Sequence, residues 1–524
     1  MTLTHPLTIV LVLLGGSLLI PRTRPWVSRP ARSVLTLVLM GVAFFLGLLA
    51  LSEVPLVISL SHWEDFTGTD EAIVFHFTEL TGRWMLLVLY AGLAVTLAAL
   101  DEPWEGPTDE YVSVLAGVSA ALMVFSMAGN FTTWLAAWAL LDLFWLFAVG
   151  LPGRSRWPWA LGVLQGIGMF ALLGATLLVW RMFRVVSFTL ESMPLLAVVF
   201  ISAALIVRTA PYPLHLPALA HNEVPSRIRA FFPLVSVAAS GFWLIFWMSK
   251  WGTAWLTVAW EPVLAVLLVA TGFLAWRRPR ATQRVIFLNT WLVLLVLWAL
   301  WTGHPGRAGQ IIWGGALSLA ALALHGGEGE RLEVATLPTL LAAFVFLGIP
   351  GSGLAVVGEL IAEAVADGRV GLGVAGILGL MGITAAIIHQ MAEPKPSQAQ
   401  PSRWAGITLL AVGAWPPFGR TLWLVPPFVE QSPPAVPWTW WMGMLVFGWA
   451  GGLLLWRLRR VWARYPSVMR GGVMLLGLEW AWDGVGHAGR WLAVFVRGAV
   501  RIVEGENYGW LLLFLFIAFV LLFR

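Results

Sequence analysis

The sequence predicts an all-α polytopic membrane protein of about sixteen transmembrane helices, with two inverted five-helix repeats and broken seventh and twelfth helices. Three observations carry this. Of 524 residues, 59% are hydrophobic and only 11% charged. A soluble chain carries about 25% charged residues, so this one lacks the polar surface to face water over its whole area. Apolar segments of roughly the 20 residues needed to span a bilayer recur from Pro6 to Phe523, separated by short polar or Gly/Pro-rich breaks. Two of those segments are interrupted by proline and glycine at positions five spans apart.

The elements follow in order. Leu7 to Ile20 has no basic region before it and no small-residue cleavage site after it, so it is the first helix rather than a signal peptide. One alternating set of loops holds the basic residues: Arg22, Arg24, Arg29 and Arg32; Arg154 and Arg156; Arg227 and Arg229; Arg277, Arg278, Arg280 and Arg284; Lys395 and Arg403; Arg457, Arg459, Arg460 and Arg464. The opposite loop from Ser61 to Arg83 carries Glu64, Asp65, Asp70, Glu71 and Glu79. The positive-inside rule places the basic set in the cytoplasm and the N-terminus outside. The acidic loop Asp101 to Glu110 falls on the cytoplasmic side, where acids count for little in that rule. Thirty-three tryptophans suit anchoring at two membrane interfaces.

The first break reads Ala210-Pro211-Tyr212-Pro213-Leu214-His215-Leu216-Pro217, the second Gly348-Ile349-Pro350-Gly351-Ser352-Gly353. Proline removes a donor and clashes with the preceding turn, and lipid cannot satisfy the freed groups. A matched pair of such breaks points to a repeat of five helices per half. The expected organisation is residues 1–100 as N-terminal spans, 101–250 and 251–391 as the two repeats, and 392–460 as C-terminal spans. Residues 461–524 follow as an amphipathic lateral segment and a final anchor. In that last section, Pro466 to Gly505 interleaves apolar positions with Arg470, Glu479, Asp483, His487, Arg490, Arg497 and Arg501, a pattern for a helix lying along the interface or along neighbours.

Chemistry is narrowly bounded. There are no cysteines, hence no disulfide, thiol or iron–sulfur chemistry. No His/Asp/Glu cluster has metal spacing, and no phosphate-binding glycine loop appears. Neither a cofactor nor a nucleic-acid partner is expected, since topology accounts for the arginines. No catalysis is expected from this chain alone.

The order and spacing of several short motifs carry a resemblance. Arg208-Thr-Ala-Pro-Tyr-Pro-Leu-His215, Pro217, Val224-Pro225-Ser226 and Ala239-Ser240-Gly241 resemble the seventh and eighth helices of the antiporter-like subunits of respiratory complex I, Mrp cation/proton antiporters and membrane-bound hydrogenases. Met123, Gly129-Asn130, Trp134 and Trp138 match the fourth and fifth helices. Leu347-Gly348-Ile349-Pro350-Gly351-Ser352-Gly353 and Gly358-Glu359 resemble the broken twelfth, with one extra residue. The resemblance spans residues 75 to 395. It implies a prokaryotic inner-membrane location and partner subunits in a hetero-oligomeric membrane complex. It also implies either proton or cation translocation by a modified route, a transport-inactive scaffolding role, or partnership with an inorganic-carbon uptake system. Membership of an NADH:quinone oxidoreductase-type or hydrogenase-type complex would fit the first.

The departures matter more than the matches. The family's fifth-helix glutamate is replaced by Ala139, its seventh-helix lysine by Arg208 and its eighth-helix lysine by Ala239. A family histidine aligns with Pro233, and the eleventh-helix His-Ala-x-x-Lys with Gly315-Ala316-Leu317-Ser318-Leu319. The resemblance therefore implies that only Glu359 keeps a family acid. Lysine can be tuned by burial to exchange a proton, whereas arginine keeps its proton in a protein. Among 32 basic residues only Lys250 and Lys395 are lysines, so the family relay cannot run here as it stands.

Asp142, Arg208, His215 and Glu359 are the ion-path candidates. Asp142 lies three residues past Ala139, close to the same helix face. Arg208 either pairs with it or caps carbonyls freed by Pro211 and Pro213, leaving Asp142 wet at a helix end. A separation beyond about 6 Å would exclude the pair. Glu359, just after the second break, is either an exit group or a capping acid near a half-helix N-terminus. His215 is either a titrating group or a hydrogen-bonded structural histidine. His325 and His389 read as interface residues near cytoplasmic helix ends.

Overall fold

A computed structural model describes residues 5–61, 73–100, 111–150, 158–183, 193–209, 226–251, 260–278, 280–349, with 326–336 excepted, 354–392, 401–421 and 437–462, together with isolated positions such as 188, 214, 352 and 424. By contacts, Met1–Arg464 form one compact unit and Tyr465–Arg524 a second. Apart from isolated positions such as His487 and Trp491, the lateral segment read for Pro466 to Gly505 lies outside the described residues, as does the whole of the anchor after it.

The chain is a polytopic all-α membrane protein. Among the described residues, ten helices are long and apolar enough to cross a bilayer, and four more are apolar but shorter, at 10–17 residues. In chain order the helices are α1 (Pro6–Arg22), α2 (Arg29–Ala50), α3 (Glu79–Ala98), α4 (Tyr111–Met127), α5 (Phe131–Gly150), α6 (Pro158–Phe183) and α7 (Leu195–Thr209). The next, α8, runs through Ser226–Pro233, a π-helical turn Leu234–Ala238, and Ala239–Trp251. Then come α9 (Trp260–Arg277), α10 (Ala281–Trp301) and α11 (Pro305–His325). The broken α12 has a first half, Leu337–Phe346, and a second half, Val356–Ala366. It is followed by α13 (Val370–Ala392), α14 (Pro401–Gly413), the short α15 (Pro416–Thr421) and α16 (Trp438–Trp462).

Helix starts follow local chemistry. Pro6 opens α1, where the His5 ring accepts from the Leu7 N–H at 3.3 Å. A reciprocal cap opens α3: Thr78 Oγ1 accepts from the Thr81 N–H, and Thr81 Oγ1 accepts from the Thr78 N–H. Leading into the acidic loop and within it, the structure adds what helical periodicity did not anticipate, an antiparallel hairpin of β1 (Leu56–Ser61) and β2 (Ile73–Phe77). Alternating apolar and polar positions such as Ile58-Ser59-Leu60-Ser61 suit a strand, and Val74, Phe75 and Phe77 turn inward. The hairpin is tied to the turn between α4 and α5: the Gly129 N–H donates to the Val74 carbonyl and the Val74 N–H to Thr133 Oγ1, both at 2.8 Å. Asn130 Oδ1 accepts from the Thr133 N–H at 2.8 Å and so caps α5.

Without a hydrophobic drive between helices in lipid, small residues decide which backbones approach closely. At the crossing of α9 and α13, a Cβ on Gly272 would stand 2.5 Å from the Gly379 carbonyl oxygen, and one on Gly382 would stand 2.3 Å from that of Gly272. On its other side α13 meets Gly448, Gly451 and Gly452 of α16, which receive Leu380, Met381 and Thr384. The helices α8, α10 and α11 are buried along nearly their whole length, whereas α2 and α16 expose one broad apolar face.

Gly272→Ala should cost about 1–3 kcal/mol through forced separation of α9 from α13, lowering the unfolding midpoint in detergent. Gly371→Ala, where an added methyl meets nothing within 4 Å, should leave it unchanged or raise it. Equal effects would contradict the close crossing.

Candidate functional site

The first half of the molecule is organised by one charge pair. Helix α5 is hydrophobic almost throughout and carries Trp134, Trp138, Asp142 and Trp145 at helical spacing, all buried. The last turn of α7 delivers Arg208. Arg208 Nη1 donates to Asp142 Oδ1 at 2.6 Å, with side-chain exposures of 1% and 12%. The guanidinium carbon lies 4.7 Å from the Trp138 ring centre and 5.2 Å from that of Phe125, which is cation–π range. Arg208 Nε and Nη2 reach no acceptor among the described residues; aromatic faces take that place. Those rings belong to a larger cluster, with Trp134 4.5 Å from Trp243 and Trp243 Nε1 donating to the Phe125 carbonyl at 3.1 Å. A charge in an apolar helix bundle is tolerable only when compensated. Here one carboxylate and two ring faces supply the compensation.

The middle turns of α8, α10 and α11 hold no such charge. Their polar side chains are Ser236, Ser240, Asn289, Thr290 and Ser318. Pro233, inside α8, cannot supply an N–H, and the helix widens directly after it into the π-helical turn. Ser236, in that turn, donates to the Phe232 carbonyl at 2.7 Å and lies 2.9 Å from Asn289 Oδ1. Thr290 and Ser318 donate to carbonyls of their own helices, Ile286 at 3.1 Å and Gly314 at 2.6 Å. Ala239 follows the turn and is buried.

The second half is organised around the α12 break. Gly348 adopts φ +78°, and a Cβ there would meet the Leu354 carbonyl oxygen at 2.6 Å, so glycine is required. Two carbonyls beside the break receive side-chain donors. Ser352 Oγ donates to the Val345 carbonyl at 3.3 Å, and Trp449 Nε1, from α16, donates to that of Leu347 at 3.0 Å. One turn into the second half lies Glu359. Arg307, near the start of α11, pairs with it, Nε to Oε2, at 3.5 Å. The same guanidinium donates through Nη1 to Glu363 Oε2, and His304 Nε2 lies 3.1 Å from Glu363 Oε1. All four side chains are partly buried.

Of the four candidates, the structure brings Asp142 and Arg208 into contact and sets Glu359 in a separate network. His215 lies outside the described residues. His325 Nδ1 is 3.2 Å from Thr339 Oγ1 at the C-terminal end of α11, where Gln390 and Arg403 donate to the Leu322 and Leu324 carbonyls at 3.0 and 2.9 Å. Sequence reasoning passed over Arg307, Glu363 and His304. The signals were present: Glu359 and Glu363 are four apart on one helix face, and His304 and Arg307 are three apart at a helix start.

No family model matches this sequence, and no curated protein matches it. Among solved structures, a chain of the Mrp complex from Dietzia sp. DQ12-45-1b shares the fold, with a TM-score of 0.77 at 14% sequence identity, over 99% of this chain and 62% of that one. The chain thus spans less than two thirds of the length of the chain it resembles.

Removing either partner of the Arg208–Asp142 pair should cost about 3–5 kcal/mol, because a lone charge is left buried. Asp142→Asn and Arg208→Met should each lower the thermal midpoint in detergent. The apolar double variant Asp142→Leu/Arg208→Met should recover most of the loss. A double variant no better than the worse single would contradict this.

Proposed function

We propose that this chain is an antiporter-like subunit of a hetero-oligomeric membrane complex of the Mrp, complex I or hydrogenase kind, in which any ion movement runs through the second half by way of Glu359. The observation that carries this reading is the buried Arg208–Asp142 pair. A guanidinium does not release its proton, and this one is enclosed by aromatic rings. The first half therefore acts as a fixed element, while a carboxylate beside a helix break remains in the second. The shared fold with a chain of an Mrp complex supports membership of a multi-subunit assembly. In the same reading, residues 101–250 and 251–391 are the inverted repeats, the chain lies in a prokaryotic inner membrane, and its N-terminus faces outward, as the basic loops direct.

A second reading, a transport-inactive scaffold, is favoured by a different observation. Among the described residues, the aromatic cluster around Arg208 and the non-titratable middle turns of α8, α10 and α11 provide no continuous file of exchanging groups between the halves.

Proton flux measured in liposomes holding the native complex separates the two. The transport reading expects flux above that of empty liposomes, lost in Glu359→Gln and largely kept in Asp142→Leu/Arg208→Met. Flux of the parent complex equal to empty liposomes would leave the scaffold.

A further inference from the structure

The quartet His304, Arg307, Glu359 and Glu363 joins the start of α11 to the second half of α12. Its internal geometry is uneven. Glu363 is held at both oxygens, by Arg307 Nη1 at Oε2 and by His304 Nε2 at Oε1. Glu359 is held at one oxygen, by the Nε edge of that same guanidinium, at 3.5 Å. One cation thus serves two carboxylates a helical turn apart, and it grips the second more closely.

The surroundings add little charge. The faces of α13 and α16 packed on this half-helix present Gly373, Gly376, Trp441 and Leu445. Asp367 follows the end of the half-helix, and Arg369 stacks over Trp301 at 4.8 Å. With His304 uncharged, the quartet carries one net negative charge, which a single added proton cancels.

We propose that Arg307 governs proton uptake at Glu359: when its guanidinium settles wholly on Glu363, Glu359 loses its cation and accepts a proton. Uptake forms an O–H bond on a Glu359 carboxylate oxygen and turns a hydronium ion into water, while Arg307 keeps all five N–H groups. Arg307 is thus a positioning residue, set beside the carboxylate rather than in the proton's path. The inference rests on the reading of Glu359 as the ion-carrying group, but its test does not require transport.

The test is infrared difference spectroscopy of the full chain in lipid nanodiscs, between acid and alkaline buffers. The protonated-carboxyl band of Glu359 is the one lost in Glu359→Gln. An opposite charge a few ångströms away favours the ionised form by about one to three pH units. Arg307→Gln should therefore raise the midpoint at which the band appears by about one pH unit or more. Glu363→Gln, which leaves Arg307 to Glu359 alone, should lower it. Opposite signs are the expected result, since a merely structural role for Arg307 does not predict them. Midpoints that stay put or move together, or the absence of any Glu359 band, would overturn the proposal. Where Arg307→Gln fails to fold, Glu363→Gln decides alone, by a fall or its absence. A band that moves as expected in a chain without flux would sink the transport reading and spare this one. Glu359-dependent flux with unmoved midpoints would do the reverse.

Discussion

A cation and a carboxylate in contact inside an apolar bundle impose a condition on everything around them. Arg208 and Asp142 meet at 2.6 Å, with almost none of the guanidinium exposed. Neither charge can be left alone at that depth without a penalty of several kcal/mol. Helices α4, α5 and α7 must therefore hold their ends in register to well within a side-chain length. The rings of Phe125 and Trp138 close over the remaining face of the guanidinium. Because arginine does not trade its proton, the pair ties α5 to α7 through a contact that leaves the guanidinium charged.

That other half meets the same constraint, uncompensated polar groups in an apolar surround, with a different solution. The α12 break frees backbone carbonyls, and lipid offers them nothing. Ser352 and the Trp449 indole take them up. Helix α16 thus serves the break as well as packing on α13 through its glycines. Glu359, an acceptor like those carbonyls, takes its partner from α11 and pairs with Arg307. The consequence is a half-helix whose two carboxylates face a single guanidinium.

Much of this was legible in the sequence. Long apolar runs with few charges admit one solution in lipid, so the all-α membrane fold followed from composition and segment length. The contact between Asp142 and Arg208 was one of two arrangements open to charges that each needed a partner in an apolar helix, and it is the one the structure shows. The second break followed from glycine and proline at Gly348 to Gly353, and the structure ends one helix at Phe346 and begins the next at Val356. What escaped was local pairing across long sequence separations. Of the β1–β2 hairpin, β2 lies in the stretch from Ser61 to Arg83 read as an acidic loop, and β1 directly precedes it. Arg307 was missed because a basic residue near a helix start looks like a topological signal. Only the fold places it against Glu359 and Glu363.

The enclosure of the Arg208 guanidinium by Asp142 and aromatic rings is tested most directly by solid-state NMR of the chain in lipid bilayers, following magnetisation transfer from water to arginine side chains. The Arg208 signal is identified by its loss in Arg208→Met, and exposed Arg24 and Arg280 serve as references. No transfer from water to Arg208, against strong transfer to the references, is the predicted result. Transfer to Arg208 as strong as to Arg24 would contradict it.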